Sequence, residues 1–218
     1  MSFLTQGKSL GTGLALGAMV LLSSCSSAPS SSSLYGREVE ASHTEGSRPE
    51  WIDSPGKFQA DHQEKMWFSG VALKKYDLEE GRQDAYLDAL NAVATGIRTT
   101  IHDQFNKARA ADTNAHRGLY SAKNEKKIEE ASFSRARGMI TGANADSYWW
   151  RKYWVQESSA SPVQYYYDVY CLVSMTGEAY NRAVFATLKS VGESFGSPEA
   201  RKIIRFMTDH PPGNTSPR

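Results

Sequence analysis

The side chain best placed for covalent chemistry in this 218-residue chain is the thiol of Cys25. It directly follows Leu22-Ser23-Ser24, one large aliphatic residue and two small ones, and the run from Leu10 to Leu22 is almost wholly apolar or small. Residues 1–24 contain one basic residue, Lys8, and no acidic residue. A basic start, an apolar core and a small-residue cleavage site are typical of a secretory signal peptide. A cysteine directly after such a site predicts that the signal peptide is removed and that a lipid is attached to Cys25.

Two other interpretations of this run are an ordinary signal peptide and a short transmembrane helix. A helix that crosses a hydrocarbon core of about 30 Å needs about 20 apolar residues, and the run from Leu10 to Leu22 is shorter. The residue after the cysteine, Ser26, is not the aspartate that commonly signals retention in the inner membrane. We therefore expect a lipid-anchored protein of the cell outer membrane, whose domain faces either the periplasm or the cell exterior.

The charge balance argues against a nucleic-acid-binding protein, and the cysteine count argues against a disulfide-bonded one. Without residues 1–24 the chain loses one lysine, and its basic and acidic side chains are then equal in number. A neutral exported chain is not expected to bind nucleic acid. With Cys25 lipidated, Cys171 is the one remaining thiol, so no intrachain disulfide can form. Because Cys171 lies in an alternating apolar stretch, we expect it to be a buried small hydrophobe rather than a nucleophile.

The sequence contains no recognisable catalytic constellation. It lacks H-E-x-x-H, a Walker-type glycine loop and a C-x-x-C pair. Asp61, His62 and Glu64 form a tight acid–histidine group, which could orient a general base, but no nucleophile motif accompanies it. Metal-ligand spacing for zinc is also absent. We therefore expect a protein that is not an enzyme and that uses no metal and no cofactor.

The densest group of aromatic side chains lies at residues 148–154, with the sequence YWWRKYW. Aromatic faces beside basic side chains could stack on the sugars of a glycan such as peptidoglycan, or could pack in a core or against another protein. Alternate residues of a strand point to opposite faces, so one set is expected inside and the other against solvent, a subunit or a ligand. The candidate interaction surface therefore consists of two sets: Trp149, Arg151 and Tyr153, and Trp150, Lys152 and Trp154.

The apolar periodicity predicts an α+β domain with the order β-α-α-β-β-α-α. A small, mainly antiparallel three-stranded sheet packs against helices in two layers. Residues 147–156 and 164–175 alternate and form a hairpin, and Val169, Cys171 and Val173 are expected to face the core. The other elements are a strand at 66–72, helices at 77–108 and 121–137, a helix capped by Thr176, and a short helix from Ser197 through Met207.

The composition divides the chain into four segments. Residues 1–24 are the signal peptide. Residues 25–48 are serine-rich with few apolar side chains and are predicted to be a flexible tether that keeps the domain near the membrane. Residues 49–195 form the α+β domain, in which Trp51 and Ile52 anchor the tether to the core. Residues 196–218 hold a short helix and a mobile tail, joined to the domain after the last long helix.

Several of these segments together resemble the twenty-kilodalton bacterial lipoprotein family, which includes flagellar outer-membrane lipoproteins. The likeness covers roughly residues 48–192. It depends on the Leu-Ser-Ser-Cys site, on Pro49-Glu50-Trp51-Ile52, on Phe68-Ser69-Gly70-Val71-Ala72, on the alanine-rich helix and on the late strand YDVYCLV at 167–173. The resemblance implies a surface or outer-membrane lipoprotein that acts by assembly and contact, and it brings no catalytic residues.

The sequence as a whole predicts a noncatalytic outer-membrane lipoprotein that scaffolds a cell-envelope machine, with the flagellar motor as one candidate. Its partners would be the membrane, through the N-terminal lipid, and other envelope proteins or further copies of itself. The alternative is an adaptor that binds peptidoglycan or regulates its synthesis through the exposed part of the hairpin. No nucleic acid is expected among the partners.

Overall fold

The computed structural model describes residues 34–111 and 122–194 and five helical positions between 201 and 208. The four strands are β1 (Val39–His43), β2 (Met66–Lys75), β3 (Asn144–Val155) and β4 (Gln164–Met175). The five helices are α1 (Glu50–Asp53), α2 (Pro55–Asp61), α3 (Leu78–Ala111), α4 (Ala122–Met139) and α5 (Gly177–Ser194). The predicted signal peptide, the lipidation site Cys25 and most of the predicted connection at 111–118 lie outside the described residues, as does most of the segment 196–218.

The strands form one antiparallel sheet in the order β1-β3-β4-β2. The predicted α+β class is confirmed, whereas the predicted three strands and the predicted order of elements are wrong. The fourth strand, β1, lies within the predicted tether at 25–48, from Val39, which pairs with Trp154, to His43, which pairs with Arg151. Apart from Val39, its side chains are exposed. Because nearly all of its side chains are exposed, β1 has no alternating apolar pattern in its sequence.

The helices α1 and α2 are the other elements that the sequence did not predict. They contain four and seven residues, too few for a helical period to emerge. They cover the face of the sheet opposite the long helices, where Trp51 packs with Trp149 and Leu172 in one buried cluster. The expected role of Trp51 as an anchor is confirmed, but the predicted two-layer arrangement gains a third layer at this point.

The hairpin β3–β4 is confirmed, and β4 has the predicted bounds. Its register pairs Trp150 with Val169 and Trp154 with Tyr165. Val169, Cys171 and Val173 are fully buried, as predicted, because they lie under α3 with Ala85 and Ala89.

Helix α3 lies very close to β2. A Cβ atom added to Gly70 would come within 2.2 Å of the Ala85 carbonyl oxygen and of the Ala89 backbone nitrogen. Only a glycine in the strand, opposite alanines in the helix, permits backbones to approach this closely. The sequence correctly indicated close packing from the alanines and glycines on this helix face.

The largest part of the core lies between the second half of α3 and the helices α4 and α5. Thr176 caps α5, since its hydroxyl accepts a hydrogen bond of 3.1 Å from the Ala179 N–H. The predicted apolar stripe of α5 is buried throughout: Tyr180, Ala183, Val184, Thr187, Leu188 and Val191. Ile204 and Met207, in the predicted C-terminal helix, are buried in the same cluster. No helix among the described residues is both long enough and apolar enough to cross a membrane.

Candidate contact surface

The six candidate residues of the YWWRKYW run divide between the two faces of the sheet. Trp149 and Tyr153 are buried on the face that carries α1, so the structure assigns these two candidates to the core. Trp150, Lys152 and Trp154 lie on the opposite face and are half-buried. The expectation that one set would be buried and the other exposed therefore holds only in part, because the sheet is covered on both faces.

The Trp149 ring is held in place by a cation above it. The Arg48 guanidinium lies 5.5 Å from the Trp149 ring centroid and 5.2 Å from that of Tyr170. Arg48 also forms an ion pair of 2.8 Å with Asp53, the last residue of α1. The basic residue that precedes Pro49 thus closes α1 over the sheet, which explains why Trp149 is a packing residue.

Arg151 belongs to a polar network centred on Asp168. Asp168 is 3% exposed and accepts hydrogen bonds from the Arg151 Nε at 3.0 Å and Nη2 at 2.7 Å. It also accepts one from the Lys74 backbone N–H at 3.0 Å. The Arg151 Nη2 bonds to Glu38 as well, at 3.0 Å. Burial alone would lower the pKa of Arg151, but the hydrogen bonds and the charge of Asp168 outweigh it and raise that pKa.

This network joins three strands and the segment that leads into β1. Lys74 has a positive φ of 55° within the irregular register of β2, and Asp168 satisfies the N–H that this kink turns away from the ladder. The Tyr153 hydroxyl, 3.4 Å from Asp168, has a raised pKa because it is buried beside that carboxylate. Arg151 and Tyr153 therefore stabilise the sheet, and neither is free to bind a partner.

The other face carries a group of half-exposed aromatic rings around one lysine, which we call the aromatic patch. The Lys152 ammonium lies 4.9 Å from the Tyr165 ring centroid and 5.5 Å from that of Tyr167. The Trp150 and Tyr167 rings meet edge to face at 5.9 Å. The patch consists of Trp150, Lys152, Trp154, Tyr165 and Tyr167. Tyr165, at 50% exposed, is the most open of the five.

Helix α3 covers only part of the patch, because it runs from β4 toward β2. Near its start the helix contacts β4, where a Cβ on Gly81 would lie 2.7 Å from Val169, and one turn later it lies over Gly70 of β2. It covers Tyr148, whose ring lies 5.9 Å from the Arg82 guanidinium. Burial, together with the neighbouring Cys171, raises the pKa of Tyr148 to about 12. Trp150 and Tyr167 pack against the cluster that contains Ala85 and Ala89 of α3, whereas Lys152, Trp154 and Tyr165 are not part of that cluster.

The other residues that the sequence singled out, Asp61, His62, Glu64 and Cys171, do not come together in a site. The His62 Nδ1 donates to the Phe58 carbonyl oxygen at 2.9 Å, and its ring stacks on that of Phe58, so it does not orient with Asp61 or Glu64. Cys171 is buried, and its burial raises the pKa of the thiol. In the part of the chain that the structure describes, no group of three or more His, Cys, Asp or Glu side chains is suited to hold a metal ion.

Comparison of the chain with protein-family models, with curated proteins and with solved structures finds no match.

Proposed function

We propose that this protein is a noncatalytic lipoprotein of the outer membrane that joins a cell-envelope assembly through its aromatic patch. The observation that carries the proposal is the group of half-exposed rings beside Lys152 on a sheet face that α3 covers only in part. Tryptophan and tyrosine bring large contact areas at little cost in side-chain entropy, and they are enriched where binding energy is concentrated. Membership of the twenty-kilodalton lipoprotein family and a place in a flagellar assembly are parts of the same proposal.

The stiffness of the patch supports a role in protein contact. Trp154 and Tyr165 are directly paired across the hairpin, and Lys152 is paired with Tyr167. Neighbouring cross-strand side chains restrict one another, and Lys152 is further held by its two ring contacts. A surface that is already ordered loses little entropy on binding, which favours a specific subunit contact.

Replacing Cys25 with alanine should release the protein from the membrane. The thiol is the proposed site of lipid attachment, and the apolar run before it is too short to span a bilayer. Wild-type protein should incorporate radiolabelled palmitate and fractionate with outer membranes, and Cys25→Ala should do neither. An unlipidated, soluble wild type would contradict the proposed anchor.

The triple variant Lys152→Ala, Trp154→Ala, Tyr165→Ala should reduce association by about 10-fold to 100-fold, because loss of a few well-packed aromatic contacts commonly costs a few kcal/mol. The measurement is the size of the complex extracted from cross-linked membranes in mild detergent. The matched control is Leu87→Ala, Phe185→Ala, which removes two exposed hydrophobic side chains from α3 and α5. Both variants should fold, and the triple variant should lose no more than about 2 kcal/mol of stability, because cross-strand pairs contribute about 0.2–1 kcal/mol each. If the triple variant forms complexes of wild-type size, the patch is not the contact surface.

The same patch also supports an alternative, a peptidoglycan-binding adaptor. A row of aromatic rings on one sheet face offers stacking platforms for sugars, and a lysine among them can pair with an acidic group of a glycan peptide. Sedimentation of the purified protein with isolated sacculi separates the two functions, since a scaffold has no need to bind sacculi. Binding by wild type that is lost in the triple variant and kept in Leu87→Ala, Phe185→Ala would favour the adaptor.

A further inference from the structure

The described chain begins at the end of the sheet where β3 turns into β4. The Gly36 N–H donates to the Gln156 carbonyl oxygen at 2.9 Å, which fixes residues 34–36 beside the hairpin loop. Only eight residues separate Cys25 from Leu34. They limit the distance between these two α-carbons to about 32 Å, since an extended chain spans at most ~3.6 Å per residue. A lipid on Cys25 would therefore hold this end of the sheet close to the bilayer.

This end, which we call the hairpin end, consists of residues 34–36, Tyr76 and the loop at 156–163. It carries four of the nine large hydrophobic side chains that are exposed in the described part of the chain. Tyr76, at 71% exposed, lies just beyond β2 and packs on Tyr166 at 5.0 Å between ring centroids. The four side chains are Leu34, Tyr35, Tyr76 and Val163. Their concentration beside the entry point of the chain is not explained by packing within the domain.

The composition of the hairpin end suits the interface between lipid headgroups and acyl chains. Tyrosine is enriched at that depth because its ring is apolar and its hydroxyl is polar. The loop itself is serine-rich, and Ser158 and Ser161 bond to each other through their hydroxyls at 2.8 Å. Exposed Arg37 and exposed Glu157 bring opposite charges to this end. The acids Asp77, Glu79 and Glu80, which follow Tyr76 at the start of α3, are also exposed. These acids are not attracted to an anionic bilayer, so apolar contact is the attraction that this surface offers to lipid.

We propose that the hairpin end docks on the headgroup region of the bilayer, with Leu34, Tyr35, Tyr76 and Val163 in contact with lipid. The inference rests on the proposed lipid anchor for its proximity argument and adds the orientation of the domain. In this orientation the strands run roughly perpendicular to the plane of the membrane. The aromatic patch then faces sideways, toward neighbours that are anchored in the same plane.

The test is an environment-sensitive fluorophore on an introduced cysteine, Val163→Cys, with Leu87→Cys as the matched control on α3. The protein is purified from membranes and reconstituted in vesicles of phosphatidylethanolamine and phosphatidylglycerol. The probe at position 163 should shift to shorter wavelength and be quenched by spin-labelled lipid, while the probe at position 87 should show neither change. Equal responses at both positions, or none at either, would overturn the docking proposal.

A further measurement distinguishes the absence of a lipid on Cys25 from a failure of the hairpin end to dock. Mass spectrometry of the N-terminal peptide reports whether Cys25 is acylated, independently of either fluorophore. In Cys25→Ser, which is released from cell membranes, the hairpin end alone should still give weak binding to concentrated vesicles, far below that of lipidated wild type and no weaker at high salt than at low salt. The variant Leu34→Ser, Tyr35→Ser, Val163→Ser in that background should lower the partition coefficient by about tenfold or more, whereas Leu87→Ser, Phe185→Ser should not. If the hairpin-end variant abolishes self-association without lipid and leaves vesicle binding intact, the hairpin end is a protein contact and the proposal is wrong.

Discussion

Replacing Asp168 with alanine should destabilise the domain by about 2–4 kcal/mol, somewhat below the usual cost of breaking a fully buried ion pair because Arg151 keeps some contact with water. The carboxylate is 3% exposed and accepts two hydrogen bonds from Arg151 and one from the Lys74 backbone. Its loss leaves the half-buried Arg151 guanidinium without its main partner. It also leaves the Lys74 N–H, at the irregular part of β2, without an acceptor. Urea unfolding of the processed protein, followed by tryptophan fluorescence, measures the loss.

Two further variants show whether the Asp168 network is responsible. Glu38→Ala removes the more exposed partner of Arg151 and should cost less than about 1 kcal/mol. Asp168→Asn keeps an acceptor for the Lys74 N–H but loses the charge. Its loss of stability should therefore lie between those of Asp168→Ala and Glu38→Ala. If Asp168→Ala is no more destabilising than Glu38→Ala, the three strands are not held by this carboxylate.

Replacing Gly70 with alanine should cost about 3 kcal/mol or more, or prevent folding, since an overpacked site with no flexible neighbour cannot relax. The new Cβ would lie 2.2 Å from the Ala85 carbonyl oxygen and the Ala89 backbone nitrogen. Both are backbone atoms of α3, so no side-chain rotation relieves the clash and the helix must move off the sheet. Circular dichroism during thermal unfolding measures the effect.

The matched control for Gly70 is Gly138, near the end of α4. A Cβ there would meet no atom within 4 Å. Gly138→Ala should be neutral or stabilising by up to about 1 kcal/mol, because alanine is the better helix former. Equal tolerance of the two substitutions would show that α3 does not depend on close approach to β2.

The elements with strong periodicity could be predicted from the sequence. The hairpin alternates over two runs of about a dozen residues, and the stripe of α5 repeats at helical spacing, so both were found close to their observed bounds. Strand β1 could not be predicted, because four of its five side chains are exposed and its sequence therefore shows no apolar alternation. Its backbone pairing with β3 leaves no mark on the side-chain pattern. Helices α1 and α2 are too short to show a period.

The composition of residues 148–154 indicated the candidate surface, but the sequence alone could not show which of its two sets of side chains is exposed. Alternation identifies two sets of side chains, and the choice between them depends on where α1 and α3 lie on the sheet. Arg48, 101 positions before Trp149, helps to bury one set. Tyr165 and Tyr167 were missed as members of the aromatic patch, although the antiparallel register of the predicted hairpin places them opposite Trp154 and Lys152.

The most direct test of the proposed function is photo-crosslinking in living cells from position 165, with position 185 as the control. Tyr165 is 50% exposed in the aromatic patch and Phe185 is 45% exposed on α5, so the two positions offer similar access to a photoreactive residue. A scaffold that binds through the patch should give a discrete protein adduct from position 165, either a second copy of this chain or another envelope protein, and none of that size from position 185. Identical adducts from both positions, or phospholipid adducts alone from position 165, would contradict the proposed contact surface.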